Sequence, residues 1–236
     1  MADLQGIPKL ITQMATVCTE KQFEVMCNDD PTLLNKEYVF LDSIQIRNEI
    51  RGGVTTGTLP KGCIAIIPQD CQAGYLAFLL NSMPIQYLLF GGMYNSKNKV
   101  RINKKLVSTL KLFDVVDVSQ SAYTLANKLR SAAFIAYEDN KEDESYHRLY
   151  YLISDLCNML ALELYSHPIF EEKGVFILDS WEEAIRKSEE QGDNGVLYDS
   201  LTKSDQRLRN ELMKAHVLIE DMTEYFKSKA DGVENK

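Results

Sequence analysis

The sequence predicts an α+β protein: a mixed α/β front portion, residues 1–118, followed by a helical, coiled-coil-like region, residues 119–236. Three observations predict it. Short runs rich in β-branched and aromatic residues fall early, around residues 38–46 and 64–67. Apolar residues at three- and four-residue spacing dominate from residue 119 onward. Charge divides along the same line. Up to Gln120, twelve Lys/Arg face eleven Asp/Glu, a net of +1; beyond it fourteen bases face twenty-three acids, a net of −9.

Taken in order, Ile7, Leu10, Ile11 and Met14 fit a short helix or a strand equally. Asn28-Asp-Asp-Pro31 is a turn signal. Residues 38–46 read as one or two strands, and residues 47–62 as a loop or a glycine-loosened hairpin. A buried strand over residues 64–67 ends at Pro68. Residues 74–112 join an apolar helical block, a Gly91-Gly92 turn, a cationic segment and a short amphipathic run at Leu106, Leu110 and Leu112. A strand ends near Ser119, which is suited to N-cap a helix carrying Ala122, Leu125, Ala126, Leu129 and Ala133 on one face. Residues 138–144 form a solvated, charged connection.

Tyr146, Leu149, Ile153, Leu156, Leu160 and Leu164 define the next helix, closing near His167-Pro168. Residues 175–178 read as a strand or a packed loop. Ser180 and Glu183 stand at capping-box spacing for another helix, broken at residues 191–195. In the last helix, Leu201, Leu208, Leu212, Ala215, Ile219, Met222 and Phe226 follow a heptad seam that only Asp205 interrupts. Such a seam is expected to bind a partner polypeptide or a second copy of the chain.

With 236 residues the chain admits one sizeable core or two small ones, since domains run about 100–200 residues. Its 45% hydrophobic and 25% charged content is that of an ordinary globular protein. No apolar run approaches the ~20 residues needed to span a bilayer, and the opening MADLQGIPKLITQM is a poor signal peptide. The expectation is a cytoplasmic protein without a membrane partner. Cys18, Cys27, Cys63, Cys71 and Cys157 are odd in number and lack Cys-x-x-Cys spacing. They read as reduced thiols in a chain with no metal or cofactor.

Catalytic patterns are weak. His147, His167 and His216 sit singly, with no Gly-x-Ser-x-Gly elbow. The loop at residues 57–62 has Cys63 where a phosphate loop requires lysine. Nucleic-acid binding has more to use. Lys97, Lys99, Arg101, Lys104 and Lys105 fall in a stretch with no acid between Gly91 and Phe113, and such a cluster suits phosphates. Arg47, Asn48, Arg51, Thr55 and Thr56 lie on the glycine-rich loop, where Arg can read guanine and Asn adenine. Solvated loop charge is the alternative for both groups.

Residues 74–112 carry the order small residue, Tyr-Leu, apolars, Asn-Ser, apolar helix, Gly-rich turn, basic-Ile, Asn-Lys-Lys, Leu-x-x-x-Leu. With Leu59-Pro-Lys-Gly-Cys-Ile-Ala-Ile-Ile67 upstream, this resembles a target recognition domain of the DNA-specificity subunits of type I restriction–modification systems. The likeness covers residues 7–137, and Cys63 stands where the family usually has Asp. The resemblance implies a non-enzymatic, sequence-specific binder of double-stranded DNA whose helices carry a DNA adenine methyltransferase subunit. The chain departs from the pattern in having one recognition domain and no Pro-Leu-x-x-Gln segment at residues 114–120. A protein–protein adaptor that keeps the fold and not the DNA surface is the second expectation.

Overall fold

The computed structural model describes residues 18–19, 23–26, 36–46, 52–69, 71–85, 99–108, 112–113 and 119–231. The strands are β1 (Cys18–Thr19), β2 (Phe23–Met26), β3 (Glu37–Asp42), β4 (Ile44–Ile46), β5 (Gly52–Thr56), β6 (Cys63–Pro68), β7 (Lys99–Arg101) and β8 (Leu112–Phe113). The helices are α1 (Ala73–Leu80), α2 (Lys104–Ser108), α3 (Gln120–Asp139), α4 (Glu144–Tyr165), α5 (His167–Glu172), α6 (Ile177–Gln191), α7 (Gly195–Thr202) and α8 (Arg207–Asp231). The α+β class read from the sequence is the class observed, with its strands early and its helices late.

The chain forms two compact units, Val17–Ala161 and, among the described residues, Leu162 onward. In the first, four antiparallel strands lie in the order β2-β6-β3-β5. Tyr38, Val39 and Leu41 of β3 and Ile64, Ala65 and Ile66 of β6 are buried, as their central places demand. α1 is apolar all round and every one of its residues is buried. It packs on β3, β5 and β6 and against α3. Gly74 permits the approach to α3: a Cβ there would meet Thr124 Cγ2, with Thr124 Oγ1 at 3.0 Å. The Tyr75 and Phe78 rings stand 5.5 and 4.9 Å from that of Tyr123. These are core aromatics, fully buried.

A polar cluster fixes the same helix pair. Arg130 donates to the Asn81 carbonyl at 3.0 Å, satisfying a group just past the end of α1, and to Asn127 Oδ1 at 2.9 Å. Asn81 Nδ2 donates to the same Asn127 oxygen at 3.3 Å. Because α3 covers α1, it belongs to the sheet's unit. The compact units therefore divide within α4, whereas composition placed the boundary after residue 118. Ser119 occupies the N-cap position of α3 but makes no side-chain cap bond.

In the second unit α6, α7 and α8 pack together around Trp181, Ile177, Leu201, Leu208 and Leu212, all buried. The heptad seam breaks where the sequence faltered. Thr202 ends α7, Asp205 sits exposed in the turn, and α8 begins at Arg207. The N-terminus of α6 differs from its expected form. The helix starts at Ile177, not near Ser180, and residues 175–176 are its lead-in rather than a strand. Ser180 Oγ donates back to the Phe176 carbonyl at 2.8 Å, and Glu183 pairs with Lys187 and Arg207. No capping box forms.

Two carboxylates from other helices cap α6 instead. Glu163 accepts the N–H groups of Ile177 at 3.2 Å and Leu178 at 2.8 Å, and Glu211 accepts that of Phe176 at 2.8 Å. Lys214 Nζ balances Glu211 at 2.7 Å. Burial pushes the Glu163 carboxyl up to about 7, and nearby Asp179 and Glu211 push the same way. The two amide hydrogen bonds oppose that rise without cancelling it. At its far end α6 stops at Gly192, whose φ of 62° is the left-handed conformation glycine adopts at little cost.

Candidate functional site

Strand β3 continues into β4 through Ser43, and its partner changes there. Asp42 is opposite Cys63 of β6, and Ile44 is opposite Arg101 of β7. Ser43 serves both neighbours: its N–H donates to the Gly62 carbonyl at 3.0 Å, and its carbonyl accepts the Ile102 N–H at 2.9 Å. Lys61 and the basic segment at residues 99–105, about forty residues apart in sequence, thus meet at one residue. Lys61 precedes Gly62, and Lys104 and Lys105 follow Ile102 across Asn103.

Arg101, Lys104, Lys105 and Lys61 are exposed, and Lys99 stands opposite Ile46. Among the described residues no carboxylate pairs with Arg101, Lys105 or Lys61. Ile102 and Val107 are buried and anchor the segment, and α2 packs on β2. The edge is a row of cations held on a fixed backbone, an arrangement that can neutralise several phosphates. Lys61 was not part of the sequence-derived cluster. Nothing local to it signals its place at this edge, which depends on the strand exchange at Ser43.

Thr55 and Thr56 do not join this edge. They pair with Tyr38 and Glu37 at the opposite end of β3, roughly 20 Å along the strand from Ile44 at ~3.3 Å per residue. Thr55 Oγ1 turns to the Thr56 carbonyl at 3.3 Å. Arg47, Asn48, Arg51 and Lys97 lie outside the described residues.

The expected partner seam is corrected by its burial. Leu201, Leu208, Leu212, Ala215 and Ile219 are buried, Met222 is half-buried, and the Phe226 side chain lies outside the description. The leucines fill the core between α6, α7 and α8, so they are spent on the chain's own fold. α8 instead exposes Met213 and Val217.

Cys63, Cys71 and Cys157 are free thiols. Burial first, and then the hydrogen bond to Asp42 Oδ1 at 3.3 Å and the charge of that carboxylate, together push Cys63 up to about 11. It is therefore a neutral thiol at physiological pH, without the thiolate that nucleophilic chemistry requires. Among the described residues no helix is long and apolar enough to cross a membrane. No protein-family model, curated protein or solved structure matches the chain.

Proposed function

We propose that the chain binds double-stranded DNA through the β7–α2 edge, as a non-enzymatic specificity component of a cytoplasmic restriction–modification or related defence system. In this reading the front unit is a single, divergent target recognition domain. Its helical portion recruits a methyltransferase or nuclease subunit, and pairing of two copies restores a two-domain arrangement. The observation that carries the DNA half is the convergence of Lys61, Arg101, Lys104 and Lys105 at Ser43, all exposed. The rest of the chain is acidic, which concentrates phosphate attraction on this edge.

The test is binding of labelled duplex DNA over a range of salt. A measurable affinity that falls steeply with salt, and that is strongly weakened in Arg101→Glu/Lys104→Glu/Lys105→Glu, supports the proposal. Absence of duplex binding by the parent chain at low salt overturns it.

A second reading, an adaptor that binds protein and ignores DNA, is favoured by one observation. Phe134, Ile135 and Tyr151 expose large apolar surface on the helical hairpin of α3 and α4. Duplex binding by the parent chain separates the two readings.

A further inference from the structure

We propose that the face shared by α3 and α4, beside their connecting turn, docks a cationic polypeptide segment bearing apolar anchors. The proposal rests on the partner-binding half of the reading above and not on its DNA half. Its surface was not visible as a heptad seam, because it is built from two helices.

The face has an aromatic centre. Phe134 is 39% exposed, Ile135 60% and Tyr151 57%. Half-buried rings link Phe134 to Tyr151. Phe134 meets Tyr150 at 5.5 Å, Tyr150 lies within 4° of parallel to Tyr137 at 5.8 Å, and Tyr137 meets His147 at 5.2 Å. His147 in turn meets Tyr151 edge-on at 4.4 Å. Each ring restrains its neighbour, so little side-chain freedom remains to be lost on binding. Rigid aromatic anchors of this kind dominate binding energy at protein interfaces.

The rim supplies the sign of the partner. Residues 138–151 carry five acids and two bases. Lys141 is bound to Glu138 at 3.0 Å, and Asp143 is engaged by the Ser145 N–H and hydroxyl. Asp139, Glu142 and Glu144 are exposed and have no basic partner among the described residues. Aromatic faces attract Lys and Arg through their quadrupole, and the acid rim attracts the same groups while repelling phosphate. Centre and rim thus select one chemistry: arginine or lysine interleaved with aliphatic or aromatic residues.

The experiment uses the full chain and a fluorescein-labelled peptide of alternating arginine and leucine, with a glutamate–leucine peptide as control. The cationic peptide is expected to bind with Kd on the order of micromolar, more weakly as salt rises. Phe134→Ser/Tyr151→Ser and, separately, Glu142→Lys/Glu144→Lys should each weaken it about tenfold or more. Duplex DNA binding should not fall in either, which separates failure here from failure of the DNA reading. Phe134 and Tyr151 pack on Tyr150 and His147, so the apolar variant should melt somewhat lower; should it misfold, the charge variant, at two exposed residues, carries the test. No binding, equal binding by both variants, or equal binding of the acidic peptide overturns the proposal. A stable dimer in light scattering that Phe134→Ser/Tyr151→Ser dissociates also overturns it, by giving the face to a second copy.

Discussion

Glu163 accepts the backbone N–H of Leu178 at 2.8 Å, so the first turn of α6 is capped by a side chain from a different helix. The same carboxylate reaches Ile177, and Glu211 completes the run of three consecutive amides at Phe176. These bonds make α6 depend on the end of α4 and on α8 for groups that a local Ser or Asp usually satisfies.

Titration of Glu163 gives the first prediction. Its carboxyl moves from 4.5 to about 7 on folding, chiefly through burial. A raised value means the contribution is fully present below pH 4.5 and is lost as pH rises through about 7. At about 1.4 kcal/mol per pH unit the loss is on the order of 3 kcal/mol. Other carboxylates, such as Glu183, are shifted downward and act oppositely. The quantity to measure is therefore the stability of the parent chain minus that of Glu163→Gln, by urea denaturation. It should fall between pH 4.5 and 7 and be level above; a difference independent of pH would contradict this account.

Gly74 supplies the second. Gly74→Ala forces a methyl group onto Thr124 and should destabilise the protein by ~1–3 kcal/mol. In a Thr124→Ala background, which removes Cγ2 and Oγ1, the cost should shrink. Equal costs in the two backgrounds would mean that α1 and α3 do not touch there.

Leu212 distinguishes a core from a seam. It is buried among the chain's own helices, so Leu212→Ala should cost ~2–5 kcal/mol in denaturation. Light scattering should show the same oligomeric state as the parent. Loss of an oligomer at unchanged stability would restore the seam reading.

Charge reversal at Arg101, Lys104 and Lys105 should flatten the salt dependence of duplex binding. The slope of log affinity against log salt should drop by about 0.9 for each phosphate contact removed. Lys61→Glu alone should lower it by a smaller step, because the strand exchange at Ser43 brings this lysine to the same edge. A normal slope for Lys61→Glu would confine the interface to residues 99–105.

Much of the architecture was legible because it is local. The alternation over residues 38–46 yields β3 and β4, the apolar run ending at Pro68 yields β6, and the spacing of alanines yields α3. What escaped depends on residues far apart in sequence. Glu163 and Leu178 are fifteen residues apart, and Phe176 and Glu211 thirty-five. The nearby Ser180 and Glu183 offered a local cap pattern that the backbone does not use. The apolar residues from Leu201 to Ile219 have the right period for a partner seam, but period does not say which surface covers them. Ser43 carries no motif; only strand pairing reveals it as the meeting point of Lys61 and the cationic segment at residues 99–105.

The complete burial of α1 bears on how the protein is made. Its eight residues leave the ribosome before α3, which is finished only at Asp139, about sixty residues later. At roughly 5–20 residues per second, the nascent chain carries an uncovered greasy helix for about 3–12 s. During synthesis that segment needs shelter from a chaperone or from the half-built sheet, and the growing polypeptide is most prone to aggregate in this interval.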